Sequence, residues 1–591
     1  MKWSEIHNLL LVNIRFWKKE LLYHLRTSDV IYFLLFSIIV GMGGGFGAIL
    51  FRWLIQHFRN LFFDEGANLL DFMGSYYVIL IPLAGGLIIG PLIHFFAREV
   101  RGHGVPEVIS AMVLRGGMIR PRVAVVKALA SSICIGSGGS VGREGPIIQI
   151  GSAIGSALGQ IFRFSEEKIK TLVACGAAAG IAATFNAPLG GIFFALEVIL
   201  REYGLRNFSS VVLSSVTATV ISRHFLGDYP AFQTPPFELY SLWDIPNYFV
   251  FGLITAIIAW LFIRVLYKTE DIFNLIKIPE YLKPALGGLI IGLIGLYFPQ
   301  IFGVGYEVIE DSINGKIALG VIIILIFLKI IATSITLGSG GSGGIFAPSL
   351  VVGALLGEAF GHLVNLVLPG MKIPPGTFAL VGMAAIFAGT AHAPISAILL
   401  LFEMTGNYKI IPPLMITCVI SAILVRWRLK YSIYTLKLVR KGIDIEKYRQ
   451  VDLMETISVS DAMITDMITV LQSDTVKKVG LMIKSTNHRG FPVLDVNGKL
   501  VGMITRKDIN RALGKGDDKS EIIKVMTTNI IVCYPYESLK VALHKMAEKN
   551  IGRIPVVERD NTDHIIGLIT RKSLISTYNQ VLESKKSRSG N

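Results

Sequence analysis

For about its first 430 residues the chain alternates long apolar runs with short breaks rich in glycine and proline. The runs Ile31–Phe51, Tyr77–Phe95, Tyr248–Leu266, Ala318–Leu337 and Phe378–Met404 match or exceed the ~20 residues that cross a ~30 Å hydrocarbon layer. They predict helices that span a membrane. Residues 29–226 form one apolar block and 247–440 a second, joined by a Pro- and aromatic-rich connection over 227–246. Residues 1–28 are amphipathic and basic, the pattern of a helix lying on the cytoplasmic membrane face. After a linker, 441–458, the period shortens to that of small strands and helices over 459–515 and 522–580, ending in a polar tail, 581–591.

The two apolar blocks repeat each other. Gly136-Ser-Gly-Gly-Ser-Val-Gly-Arg-Glu-Gly-Pro146 returns 202 residues later as Gly338-Ser-Gly-Gly-Ser-Gly-Gly-Ile-Phe-Ala-Pro348. The stretch from Thr184 to Glu197, with Ala187-Pro188 inside it, returns 206 residues later as Thr390 to Glu403 with Ala393-Pro394. Interrupted apolar segments in corresponding places of two halves point to a transporter's midplane site. The tail repeats too: Asp461-Ala-Met463, Phe491-Pro-Val and Gly502-Met-Ile-Thr505 match Lys524-Val-Met526, Ile554-Pro-Val and Gly567-Leu-Ile-Thr570. Asn497-Gly498 between apolar alternations marks a hairpin turn. Each copy, of about 55 residues, is small for a core of its own, so the two are expected to pack on one another.

Composition narrows the class. A mean hydropathy of +0.58 with 17% charged residues excludes an ordinary soluble chain. The net charge of +15 would otherwise raise the question of nucleic acid. Instead basic residues crowd the ends of the apolar region, at Arg15 to Arg26 and Arg426 to Lys441. The positive-inside rule then places both termini in the cytoplasm, with an even number of crossings. The cysteines, Cys134, Cys175, Cys418 and Cys533, are scattered, without metal or disulfide spacing. Neither a P-loop nor a nucleophile–base pair is present, so the chain does not read as an enzyme.

A glycine-rich break inside a membrane helix strips N–H groups of partners, which is tolerable where the break lines a cavity or holds an ion. Helices starting near Gly145 and Ala347 would aim two positive dipole ends at one place, an anion site built from partial charges rather than a fixed cation. Glu144 at such an end can occupy the site in place of the anion and leave it when protonated. Intramembrane acids are functional candidates by default, and Arg143 is the expected ion-pair partner. Glycine and serine also let helices pack closely with no further role.

On these residues the sequence resembles the CLC family of chloride channels and chloride/proton exchangers, over about residues 30–440. Gly142-Arg-Glu-Gly-Pro146 and Gly344-Ile-Phe-Ala-Pro348 are similar to two of its signatures. The resemblance implies a homodimer of subunits, each with two inverted repeats of discontinuous, tilted helices and its own pore. It implies that Glu144 gates, that backbone N–H groups of Ile345 and Phe346 face a central anion, and that those of Arg143, Glu144 and Gly145 surround an outer position.

Two departures and one correspondence matter. Where the family has Gly-Ser-Gly-Ile-Pro, this chain has Gly102-His103-Gly104-Val-Pro106. A neutral imidazole donates one N–H and a protonated one two. His103 either meets the anion or swings away, leaving only the backbone around Gly104. The tyrosine that reaches the anion in the family corresponds to Tyr434, with Tyr431 as the alternative. Val198, after Glu197, stands where family exchangers carry an inner proton acceptor and cannot hold a proton. Glu197 has a repeat mate in Glu403, which points to a structural role. This favours a passive chloride channel, with a proton-coupled antiporter of the same fold as the alternative.

The tail resembles a tandem pair of CBS domains, α/β modules that often bind adenine nucleotides. The Gly-x-x-Thr-x-x-Asp signature is complete in Gly502, Thr505 and Asp508; the second copy keeps Gly567 and Thr570 but has Ser573 for the aspartate. The resemblance implies at most one site for ATP, ADP or AMP, or a pair that only dimerises, and no required cofactor. A nucleotide-regulated cation exporter would need clustered membrane carboxylates, and the apolar blocks have none. The chain thus reads as a multi-pass protein, in a prokaryotic cell membrane, that handles a small anion such as chloride.

Overall fold

The computed structural model describes residues 29–588 apart from 70, 203–204, 233–244, 369–373, 445–452, 487 and 560. The expected helix over 1–28, most of the connection and much of the linker lie outside the described residues. The chain divides into two compact units, Met1–Ile443 and Asp444–Asn591.

The first unit is helical throughout. Its first block runs α1 (Asp29–Arg59), α2 (Tyr77–Phe96), α3 (Val105–Leu114), α4 (Arg122–Gly136), α5 (Glu144–Ile161), α6 (Glu166–Phe185), α7 (Pro188–Phe194) and α8 (Leu205–Leu226). The second repeats the series as α9 (Ile245–Leu275), α10 (Lys283–Tyr297), α11 (Tyr306–Ile313), α12 (Leu319–Gly338), α13 (Phe346–Val367), α14 (Pro375–Ala391), α15 (Pro394–Thr405) and α16 (Ile411–Arg428), before a short α17 (Thr435–Arg440). Seven helical stretches among the described residues are long and apolar enough to cross a membrane. Five more apolar helical stretches among these residues are shorter, Val105–Leu114, Pro188–Leu200, Lys283–Tyr297, Pro375–Ala391 and Pro394–Thr405.

The apolar run Phe378–Met404 is not the single span expected. Chain direction breaks at His392, which is left-handed (φ 55), and Pro394, lacking an N–H, can only start a new helix. Asn186 (φ 58) and Pro188 do the same between α6 and α7. The paired helices that flank each site pack backbone to backbone. A Cβ on Gly151 of α5 would lie 2.1 Å from the Gly176 carbonyl oxygen of α6, and one on Gly353 of α13 2.2 Å from that of Gly382 of α14. Packing of small residues is therefore the role of these helical glycines.

The blocks are related by a two-fold axis. Gly142 and Gly344, equivalent residues of the two breaks, pair with each other as an antiparallel bridge. A residue pairs antiparallel with its own repeat mate about such an axis, which the expected inverted repeats require. The same symmetry appears in two glutamates. Glu197 accepts from the Ser396 N–H at 2.7 Å, its hydroxyl at 2.6 Å and the Ile395 N–H at 3.4 Å; Glu403 accepts from the N–H groups of Leu189 and Gly190 at 2.9 and 2.7 Å. Each carboxylate caps the first turn of the other repeat's helix, where free N–H groups and the dipole favour negative charge.

The second unit holds β1 (Val470–Leu471), α18 (Val476–Thr486), β2 (Gly490–Leu494), β3 (Leu500–Thr505) and α19 (Arg506–Gly514), then α20 (Leu539–Glu548), β4 (Arg553–Val557), β5 (Ile565–Thr570) and α21 (Arg571–Arg588). β2 and β3 form the expected hairpin, and β4 and β5 its counterpart. The turn at Asn497-Gly498 is organised by Asp495, whose carboxylate accepts from the N–H groups of Asn497 and Lys499, both at 2.8 Å. The polar tail expected from 581 continues helix α21 as far as Arg588.

The two copies exchange their leading segments. Ile457, Val459 and Ala462 join the core of the second copy with Leu539, Ile554 and Ile569, while Val525 and Met526 pack on the core of the first. The matched motifs explain each other: a Cβ on Gly567 would lie 2.8 Å from the Met463 sulfur, and one on Gly502 2.6 Å from that of Met526. Those glycines are seats for methionines.

Candidate anion site

Three helix N-termini meet at the two breaks. Gly142 N–H donates to the Gly344 carbonyl at 2.7 Å and Gly344 N–H to that of Gly142 at 2.6 Å, while Gly102 N–H donates to Gly341 at 3.0 Å. This knot seats the starts of α3, α5 and α13 side by side. It needs glycine. A Cβ on Gly145 would lie 2.2 Å from the His103 carbonyl oxygen, and one on Gly344 2.7 Å from the Gly145 nitrogen. The first N–H groups of these helices have no intrahelical acceptor, and their dipoles add, so the point of convergence favours an anion. Ile345 caps α13 and Phe346 is its first residue; the Phe346 ring packs on Phe387 at 4.4 Å and Phe185 at 5.1 Å.

Glu144, only 1% exposed, turns its carboxylate into this knot. Oε1 accepts from the Tyr306 hydroxyl at 2.9 Å and Oε2 from the Ala347 N–H at 3.3 Å. The carboxylate therefore bridges the repeats, anchored on α11 and on the start of α13. Gly142 gives it room, since a Cβ there would stand 2.2 Å from Oε2. Arg143, expected as an ion-pair partner, instead lays its guanidinium over the Tyr306 ring, 4.9 Å from the centroid.

His103 is buried beside the Tyr434 ring, centroids 5.9 Å apart, and its Nδ1 meets no protein partner. Tyr434 is the tyrosine packed beside His103, whereas Tyr431 lies under Lys430. A cavity of about 430 Å³ reaches His103. Five basic side chains, Arg98, Arg101, Lys437, Arg440 and Lys441, line it against three acidic ones, Glu107, Glu270 and Glu280. Glu107 is itself bridged to Lys441 at 2.9 Å and Lys437 at 3.5 Å. A funnel with excess positive charge raises the local anion concentration. His103→Ser is expected to change the order of anion preference in a reversal-potential series; an unchanged order would show that the imidazole does not face the ion.

Two lysines escaped the sequence reading. Lys127 Nζ donates to the carbonyls of Val100 and Gly102 at 2.9 and 2.8 Å, and Lys329 Nζ to those of Ile301 and Gly303 at 3.0 and 3.2 Å. Each braces the loop leading into a half-site. A buried lysine therefore stands behind each of the two loops. The signal was present: the loops 102–104 and 303–305 are both Gly-x-Gly, 201 residues apart, and the lysines are 202 apart.

Val198 is buried on the π-helical turn Ala195–Leu200, and its neighbour Glu197 is engaged as a cap. In the second unit, Asp508 accepts from the Thr505 hydroxyl at 2.5 Å and N–H at 3.1 Å, starting α19. Thr570 and Ser573 repeat that capping arrangement at α21. Among the described residues no cluster of His, Cys, Asp or Glu could hold a metal.

Comparison with known proteins agrees with this geometry. The family model described as voltage gated chloride channel matches residues 85–426. The chain belongs to the CLC family. The CBS domain model matches 459–515 and 520–579, so this CLC protein carries a CBS pair. It is 35% identical over 455 residues to the H(+)/Cl(-) exchange transporter ClcA of Vibrio vulnificus, covering 74% of this chain and 95% of that one. It is 33% identical over 370 residues to the putative chloride channel protein ClcB-like of Ralstonia nicotianae, covering 62% and 86%. Among solved structures, it resembles a slow cyanobacterial Cl-/H+ antiporter (29% identity, TM-score 0.64, covering 69% of this chain and 97% of that one). A eukaryotic CLC transporter, 22% identical with a TM-score of 0.61, shares the fold over 92% of this chain and 98% of its own.

Proposed function

We propose that this CLC protein is a proton-coupled chloride/proton antiporter in which Glu144 is both the outer gate and a proton carrier. The observation that supports it most is the Glu144 carboxylate lying in the knot of helix N-termini, where an ionised side chain competes with an anion and a protonated one yields to it. The passive channel expected from the sequence rested on Val198. The names of relatives at 35–36% identity shift the reading to exchange. Proton supply from the other side then does not depend on a carboxylate at position 198. The channel keeps one observation in its favour, the apolar side chain of Val198 with Glu197 committed to capping.

The protein works as a homodimer with one pathway per subunit and both termini in the cytoplasm, the latter supported by the basic residues at each end of the apolar region. The first CBS copy takes one adenine nucleotide at Thr505 and Asp508; Ser573 removes the equivalent aspartate, leaving Thr570 without it. Reconstitution in vesicles with an imposed chloride gradient separates the two transport readings. Exchange is expected to drive protons uphill; chloride flux with no proton movement would leave the channel.

A further inference from the structure

We propose that Tyr306 is the latch of the gate, a positioning residue whose hydroxyl sets how long the Glu144 carboxylate stays in the anion position. The proposal rests on Glu144 being the gate and not on proton coupling.

Of the two bonds to the carboxylate, the one from Tyr306 is the shorter, 2.9 Å against 3.3 Å from Ala347. A hydrogen bond to an ionised acceptor is roughly twice as strong as one between neutral groups. An anion that enters must break it. The hydroxyl is held in place from three directions. Arg143 covers one face of the ring. Phe232 meets the ring at 5.5 Å and 86°. Behind, the loop ending in Gly305 (φ 85) lies on α13, where a Cβ on Gly305 would stand 2.9 Å from Val351. Lys329 pins the same loop through Ile301 and Gly303. Hydroxyl and Ala347 N–H thus belong to one braced body, and the carboxylate is clasped between them.

The two-fold axis shows that this is a device of one face only. Gly102-His-Gly-Val105 in the first repeat corresponds to Gly303-Val-Gly-Tyr306 in the second. The polar and apolar positions are exchanged: histidine answers to Val304 and tyrosine to Val105. One half-site therefore offers an imidazole toward the cavity that reaches His103, and the other a hydroxyl to the gate.

The test is anion flux through the full-length protein in vesicles. Tyr306→Phe keeps the ring under Arg143 and against Phe232, and is expected to raise flux about tenfold. Phe232→Leu, which loosens the ring and leaves the hydroxyl, is expected to give a smaller gain. Both gains should vanish when Glu144 is alanine, because a latch acts only through what it holds. Unchanged flux in Tyr306→Phe, or an equal gain with and without Glu144, would overturn the proposal. Proton movement, recorded in parallel, tests the antiport reading separately: its absence removes exchange and leaves the latch result intact.

Discussion

Replacing Glu144 by glutamine is expected to raise anion flux about tenfold and to remove its dependence on pH. On the proposed function the ionised carboxylate of the wild type holds the anion position, so flux is expected to be low at high pH and to rise as falling pH protonates the side chain and releases it. Glutamine is neutral at every pH and competes for the helix dipoles far less than a carboxylate. The amide oxygen accepts from the Ala347 N–H and the amide NH2 donates to the Tyr306 hydroxyl oxygen, so the fold is expected to stay intact. A gain of tenfold corresponds to about 1.4 kcal/mol, just below the roughly 1.5–3 kcal/mol of a single hydrogen bond to a charged group. Proton coupling, if present, should disappear in the same variant. Flux that keeps the wild-type pH profile would mean that another group gates.

Lys127→Met is expected to lower anion flux at least about tenfold and to reduce thermal stability in detergent. Methionine fits the space but donates nothing, so the Val100 carbonyl keeps only the Ser342 hydroxyl at 3.1 Å and the Gly102 carbonyl only the Gly343 N–H at 3.4 Å. Each lost hydrogen bond is worth ~0.5–1.5 kcal/mol net, partly offset by no longer burying a polar head group. The loop they belong to carries His103 and aims the start of α3, so the loss falls on the site as well as on the fold. Lys127→Arg should not restore flux, since the fully buried pocket (0% exposed) has no room for a planar fork. Wild-type flux in the methionine variant would show that the loop holds its shape without the brace.

Much of this was legible in the sequence because the residues concerned are local. Glu144 and Phe346 announce themselves by the glycine and proline around them, and helix starts follow from where those residues sit. The matching pattern itself carries no direction; inversion came from the family resemblance, and the pairing of Gly142 with Gly344 agrees with it. Tyr306 and Lys127 were missed for a related reason. Tyr306 follows the Gly303-Val-Gly305 loop but takes its role from a partner 162 residues away, and Lys127 from carbonyls 25 and 27 residues away. Arg143 was misjudged because adjacency suggested an ion pair, whereas a neighbouring tyrosine face was available to it. The long apolar run after Phe378 misled because hydropathy does not register a single left-handed residue.

The exchange of leading segments between the CBS copies has a consequence for how this part of the chain can change. The stretch that precedes the first copy is built into the second, and the stretch between them is built into the first. Neither half is a module that could be lost, replaced or shuffled alone: removal of either strips a structural layer from the other. A duplication that began as two separable pieces has become a single inheritance, and a displacement imposed on Val459 is delivered first to the copy farther along the sequence.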